Sequence, residues 1–126
     1  MKATKEYVEQ KFGEYNQLMF DGQLPPLPIE LGHARGYLGK LCYKKKRNFW
    51  GRTTCFDFKM RINAALDMSE SLLEDTIIHE MIHYYIGYKK LKDTSPHGQL
   101  FRAMMKDINT RFDRHITISV KLGNQR

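Results

Sequence analysis

The chain has 126 residues, 41% hydrophobic and 28% charged, which excludes a disordered polymer and leaves room for one ordinary domain. Two cysteines, Cys42 and Cys55, exclude a disulfide framework or a four-cysteine metal site, so a reducing compartment is expected. Residues 1–20 hold no apolar leader and no apolar run is long enough for a membrane helix, so the +7 chain is expected to be soluble and cytoplasmic, with no membrane partner.

Residues 4–20 are predicted as a first helix. Thr4 can cap its start, and Val8, Phe12, Tyr15, Leu18 and Met19 recur at helical spacing. Asp21-Gly22 is a turn signal, and Pro25, Pro26 and Pro28 keep the next stretch extended. Ile29, Leu31 and His33 alternate as in a short strand. Two further strands are predicted over 37–43 and 49–62. In the second, Phe56, Phe58, Met60 and Ile62 share one face, and Asp57, Lys59 and Arg61 share the other. Gly36, Gly39 and Gly51 are candidate turn or bulge positions.

The positive charge concentrates in this sheet region. Between Leu31 and Phe56 stand Arg35, Lys40, Lys44, Lys45, Lys46, Arg47 and Arg52, with no Asp or Glu among them. Tyr37, Tyr43, Phe49 and Trp50 are interleaved. Cations neutralise phosphates and aromatic faces stack on bases, so residues 31–56 are a candidate DNA-contacting stretch. The competing reading is a solvated hairpin whose charged tip turns at Lys46-Arg47-Asn48.

Residues 69–86 give the strongest helical signal. Asp67-Met-Ser-Glu70 and Ser71-Leu-Leu-Glu74 both have the form of a capping box, and Gly87 is the expected C-cap. Ser95 before Pro96 predicts the start of another helix, which Phe101, Met104, Met105, Ile108 and Phe112 continue as core positions. Ile116, Ile118, Val120 and Leu122 alternate and predict a last strand. Helix, sheet, helix, helix makes an α+β domain.

His79-Glu80-Met81-Ile82-His83 is an H-E-x-x-H motif inside the strongest helix. Residues four apart lie one turn apart on the same face, so two imidazoles there can reach one metal ion. Glu80, one residue on, flanks that ion and is free to take a proton from a water activated there. The alternative is a pair of unconnected surface or core histidines. Tyr84, Tyr85 and Tyr88 follow; a hydroxyl among them is an oxyanion-stabilising candidate, against core packing with a polar tip.

Catalytic zinc takes three protein ligands and a water. No Glu follows Glu80, and Ile86 and Lys89 stand where a longer H-E-x-x-H-x-x-G-x-x-H motif needs Gly and His. Asp93, His97, Asp107, Asp113 and His115 remain. His97 is the leading candidate: it falls in the first turn of the next predicted helix, and Gly98 beside it permits close backbone approach. Asp93 is second. His33 and His115 have no visible partner and read as structural. One Zn²⁺ is the expected ion, although three imidazoles also accept Mn²⁺ or Fe²⁺.

Thr76-Ile-Ile-His-Glu-Met-Ile-His-Tyr84, followed by His97-Gly-Gln-Leu-Phe101, resembles the SprT-like (SprT/Spartan-type) family. Tyr15-Asn-Gln-Leu-Met-Phe-Asp-Gly-Gln-Leu-Pro25 is similar to that family's entry into its sheet. The likeness covers roughly residues 6–120. It implies a small zincin-like α+β fold: an N-terminal helix, a three- to four-stranded mainly antiparallel sheet, the motif helix, and a helix bearing the third ligand. It also implies a zinc metallopeptidase with His79, His83 and His97 as ligands and Glu80 as the catalytic residue, acting on protein or peptide substrates, including DNA-associated ones. Many members add a four-cysteine zinc ribbon; none occurs here, and one domain over 1–126 is expected. The rival expectation is a nucleic-acid-binding module whose zinc is structural or regulatory.

Overall fold

A computed structural model describes residues 1–33 and 36–118. Arg35 of the basic stretch, and Val120 and Leu122 of the predicted last strand, lie outside the described residues. The element order is α1 (Lys5–Met19), β1 (Ile29–Gly32), β2 (Gly39–Arg47), β3 (Thr53–Asn63), α2 (Glu70–Tyr88) and α3 (Gln99–Phe112).

Thr4 caps α1 as expected, its side chain accepting from the Tyr7 N–H. After the turn at Asp21-Gly22, both at positive φ, the Asn16 amide bonds the N–H and the carbonyl of Leu24 and fixes the return of the chain toward the sheet. The sheet is three-stranded and mixed, in order β1-β3-β2. β1 pairs parallel with β3 from Ile29↔Met60, and β2 pairs antiparallel with β3 from Gly39↔Ile62 to Arg47↔Thr53. Among the described residues β2 is therefore an edge strand, with no strand on its outer side. Met60 and Ile62 are fully buried, while Lys59 and Arg61 reach Glu30 at 3.2 and 2.8 Å on the partly exposed face.

The expected alternation holds for Phe58, Met60 and Ile62 and breaks at Phe56, which is exposed. Lys59 pairs with Cys42 but Phe56 pairs with Lys44, so two residues of β3 oppose one of β2. Asp57 carries that bulge at φ +58, and strand phase changes across it. The hairpin turn falls at 48–52, past the expected Lys46-Arg47-Asn48. Asn48 Oδ1 accepts from the N–H groups of Trp50 and Arg52, an Asx turn that Gly51 completes at φ +79.

α2 is the core helix: Leu73, Ile77, Ile78, Met81 and Ile82 are fully buried among α1, β2, β3 and α3. Ser69 caps it by accepting from Leu72 N–H, in place of either predicted capping box. It also runs through Gly87 to Tyr88. Lys90 takes the left-handed position, with Lys90 N–H on Gly87 O and Leu91 N–H on Ile86 O closing the end. Gly87 instead makes room for Phe58, since a Cβ there would lie 3.0 Å from the ring.

α3 begins at Gln99, three residues later than Ser95-Pro96 predicts. Ile116 is buried and Ile118 half-buried, but neither is in a strand. The Asn109 side chain bonds both the N–H and the carbonyl of Ile116, occupying the groups a strand partner would need. No described helix is long and apolar enough to cross a membrane.

Candidate metal centre

Helical spacing on α2 puts His79 and His83 one turn apart, with ring centroids 5.0 Å from each other. His97 arrives from the turn between α2 and α3, not from the first turn of α3 as the sequence predicts. Its Nε2 lies 3.1 Å from His83 Nε2 and 3.2 Å from His79 Nε2. Beneath them, fully buried Phe101 touches all three rings at centroid distances of 4.5–4.9 Å, a common floor for the imidazoles.

This arrangement fits a metal ion. Ligand nitrogens at about 2.0–2.1 Å from a tetrahedral ion are separated by about 3.3 Å, close to the 3.1 and 3.2 Å that separate His97 Nε2 from the other two. Protonation explains the convergence less well. His79 Nδ1 sits 2.9 Å from the Thr117 carbonyl, which only accepts, so that nitrogen carries the proton and Nε2 presents a lone pair. Burial lowers the pKa of His79 to about 4, the Thr117 bond opposing and His97 adding to the fall. Burial, with His79 and His97 nearby, lowers His83 to about 4 as well. Burial and then Arg102 hold His97 below its ordinary value. All three rings are neutral ligands at neutral pH. Among the described residues these three form the one His/Cys/Asp/Glu group able to hold a metal.

Glu80 lies beside the triad and outside it, with Oε2 4.0 Å from His79 Nε2. Burial raises its pKa to about 8, against a backbone hydrogen bond from Leu41. That bond follows from strand register. Met60 gives its N–H to Pro28 on the β1 side, so Leu41, opposite Met60, turns its own N–H outward to Glu80. Gly39 makes the approach feasible: a Cβ there would lie 2.7 Å from Thr76 Cγ2 and 3.2 Å from Glu80 Cγ. Asn63 anchors the same segment through Tyr37 O at 2.9 Å.

A cleft runs past the site. A cavity of about 280 Å³, walled by Leu38, Leu72, Thr76, Ile116 and Ile118, meets one of about 450 Å³ walled by Tyr43, Phe58, Ile86 and Leu91. Gly39, His79, Glu80 and His97 line both.

The SprT-like family model matches residues 8–121. The chain belongs to the SprT-like family. No curated protein matches it.

In this SprT-like chain the other sequence candidates stand apart from the triad. Asp93, second choice as a ligand, spends both oxygens on backbone N–H groups. His33 is exposed, and His115 is exposed at the rim of the first cavity. The Tyr84 hydroxyl donates to Pro25 O at 3.0 Å, so it faces away from an oxyanion role and packs with Phe12 and Phe58. Sequence reasoning missed the Leu41 N–H and the Thr117 carbonyl. Backbone groups leave no signature in residue type. The shared floor had a trace in the spacing of Phe101 after His97.

Proposed function

We propose that this SprT-like chain is a zinc-dependent peptidase that cleaves extended segments of proteins, including proteins bound to DNA. One observation carries the reading: three imidazole nitrogens within 3.2 Å of their neighbours converge beside a buried carboxylate that ligates nothing. His79, His83 and His97 would hold the zinc, which supplies Lewis acidity toward a water and the scissile carbonyl. With a cation beside it favouring the ionised carboxylate over the form burial prefers, Glu80 Oε2 would accept the attacking water's proton as the oxygen adds to the carbonyl carbon. It returns that proton to the amine nitrogen as the C–N bond breaks. The Leu41 N–H holds the carboxylate in orientation.

The outer side of β2, which has no strand beside it among the described residues, is the natural bed for substrate. An extended peptide would pair there by β-augmentation, its side chains entering the two cavities. What supports the DNA part is the β2–β3 tip, where Phe49 and Trp50 are 93% and 85% exposed behind Lys44, Lys45, Lys46, Arg47 and Arg52. The same tip favours the second reading, a nucleic-acid-binding module with a structural zinc.

The test measures metal content and cleavage of an unstructured protein, with and without single-stranded DNA. Wild type is expected to hold one zinc and to cleave. Glu80→Gln should keep the zinc and lose cleavage, and His97→Ala should lose the zinc. Glu80→Gln cleaving at the parent rate would sink the mechanism. A zinc-loaded wild type that binds DNA and never cleaves would favour the second reading.

A further inference from the structure

The third ligand stands on a turn, and the structure accounts for how that turn is held. His79 and His83 are held inside α2 by its backbone hydrogen bonds; His97 has no such frame, since it precedes α3 and its N-cap residue Gly98. Gly98 has no side chain to bond the first free N–H groups of α3, and no side-chain cap bond is made from it. Asp93, five residues upstream, does this instead. Its Oδ1 accepts from Leu100 N–H at 3.1 Å and Thr94 N–H at 2.7 Å, and its Oδ2 accepts from Phe101 N–H at 2.9 Å. Those are the second and third residues of the helix, the positions an N-cap side chain ordinarily serves.

The carboxylate thereby closes residues 93–101 into a ring with His97 on it. The ring is tight. A Cβ on Gly98 would lie 2.3 Å from Asp93 Oδ1 and 2.2 Å from Thr94 Oγ1, so only glycine fits under the carboxylate. Two further bonds brace it, Gly98 N–H on Ser95 O at 3.0 Å and Arg102 Nε on His97 O at 2.9 Å. Phe101, which Asp93 holds by its N–H, is also the floor of the three imidazoles.

We propose that Asp93 is the positioning residue of the metal centre: a borrowed helix cap that sets His97 at ligand distance from His79 and His83 without itself binding the ion. The inference rests on the metal-binding half of the function proposed above and is independent of peptide hydrolysis. Outer partners of metal ligands are worth roughly 10–100-fold in affinity, and that is the expected scale.

The experiment is zinc affinity by chelator competition, on wild type, Asp93→Ala, Asp93→Asn, His97→Ala and the double variant Asp93→Ala/His97→Ala. Metal-free circular dichroism confirms that each is folded at the working temperature. Asp93→Ala is expected to weaken zinc roughly 10–100-fold, and Asp93→Asn, keeping one acceptor oxygen, to fall between it and wild type. In the His97→Ala background the same change should move affinity by less than about threefold, because there is no third ring left to position. A charge effect or general loosening would persist in that background and overturn the proposal. Cobalt spectra report the ligand set: an unchanged band pattern in Asp93→Ala is expected, and a changed one would make Asp93 a ligand. Gly98→Ala attacks the ring from its other side and should weaken zinc as Asp93→Ala does. Unchanged affinity in Asp93→Ala, with wild type binding normally, overturns this inference alone. A wild type that binds no zinc overturns the proposed function with it.

Discussion

The Nδ1 of His79 lies 2.9 Å from the carbonyl oxygen of Thr117, thirty-eight residues along the chain. This single contact selects which nitrogen faces the metal centre. Thr117 is brought there by Asn109, which bonds the N–H of Ile116 at 2.8 Å and its carbonyl at 3.0 Å. Asn109→Ala should therefore release the carbonyl from His79. The expected outcome is about 1–3 kcal/mol lower stability from the two lost bonds and a roughly tenfold or greater fall in zinc affinity. Thermal melts and chelator competition measure the two separately, and full zinc affinity in a folded Asn109→Ala would refute the link.

Gly39→Ala probes the seam between β2 and α2. Its new methyl would meet Thr76 Cγ2 and the Glu80 side chain, so strand and helix must separate. About 1–3 kcal/mol of destabilisation is expected from such overpacking. Cleavage should fall while zinc content stays at the wild-type level, because the triad lies off this contact. Unaltered cleavage would mean that the Leu41–Glu80 hydrogen bond is dispensable.

At the hairpin tip, Phe49→Ala/Trp50→Ala removes two rings that touch mainly each other, with centroids 5.4 Å apart and edge to face. Stability should stay within about 0.5 kcal/mol of wild type, as for other exposed positions. Affinity for single-stranded DNA should drop by about 1–3 kcal/mol for each base that had stacked there. Fluorescence anisotropy over a salt series checks this; equal affinity in both proteins would remove the tip from any DNA contact.

Acid stability has a named contributor away from the metal centre. Burial works to raise the Glu74 carboxyl, but hydrogen bonds from Lys11, Arg114 and Tyr15 outweigh it and leave it below its ordinary value. Lys11 and Arg114 each stand 3.3 Å away. A carboxyl depressed in the folded chain contributes stability that is whole above its unfolded pKa, near 4.5, and is lost as pH falls through the lower folded value. Melting temperature against pH should thus show an acid limb below about 4.5 that is shallower in Glu74→Gln. Parallel limbs in the two proteins would assign the loss to other groups.

Local features were legible from residue order alone, and the distinction from what was hidden is physical. His79, Glu80 and His83 need only helical spacing to share a region, and Thr4 and Asp21-Gly22 act within one turn of themselves. His97 could be picked as the ligand because few donors remained, yet its place on a turn could not. That depends on Asp93 capping a helix whose own N-cap residue is glycine. The parallel pairing of β1 with β3 was hidden because β2 intervenes in sequence but sits outside them in space. The bulge at Asp57 was hidden because no glycine marks it. The predicted strand after His115 failed at Ile116, whose alternation reflects burial while Asn109 holds its backbone.

Among the described residues the outer side of β2 has no strand beside it, and apart from the Leu41 N–H held by Glu80 such a row of backbone groups invites a second copy of the same strand as readily as any other peptide. Lys40, Lys44, Lys45, Lys46 and Arg47 lie along it, so two copies brought side by side would set like charges against each other. Cationic crowding of this kind would oppose pairing between identical molecules. It leaves a neutral or acidic chain the easier companion, and it weakens as added salt shortens the reach of the repulsion.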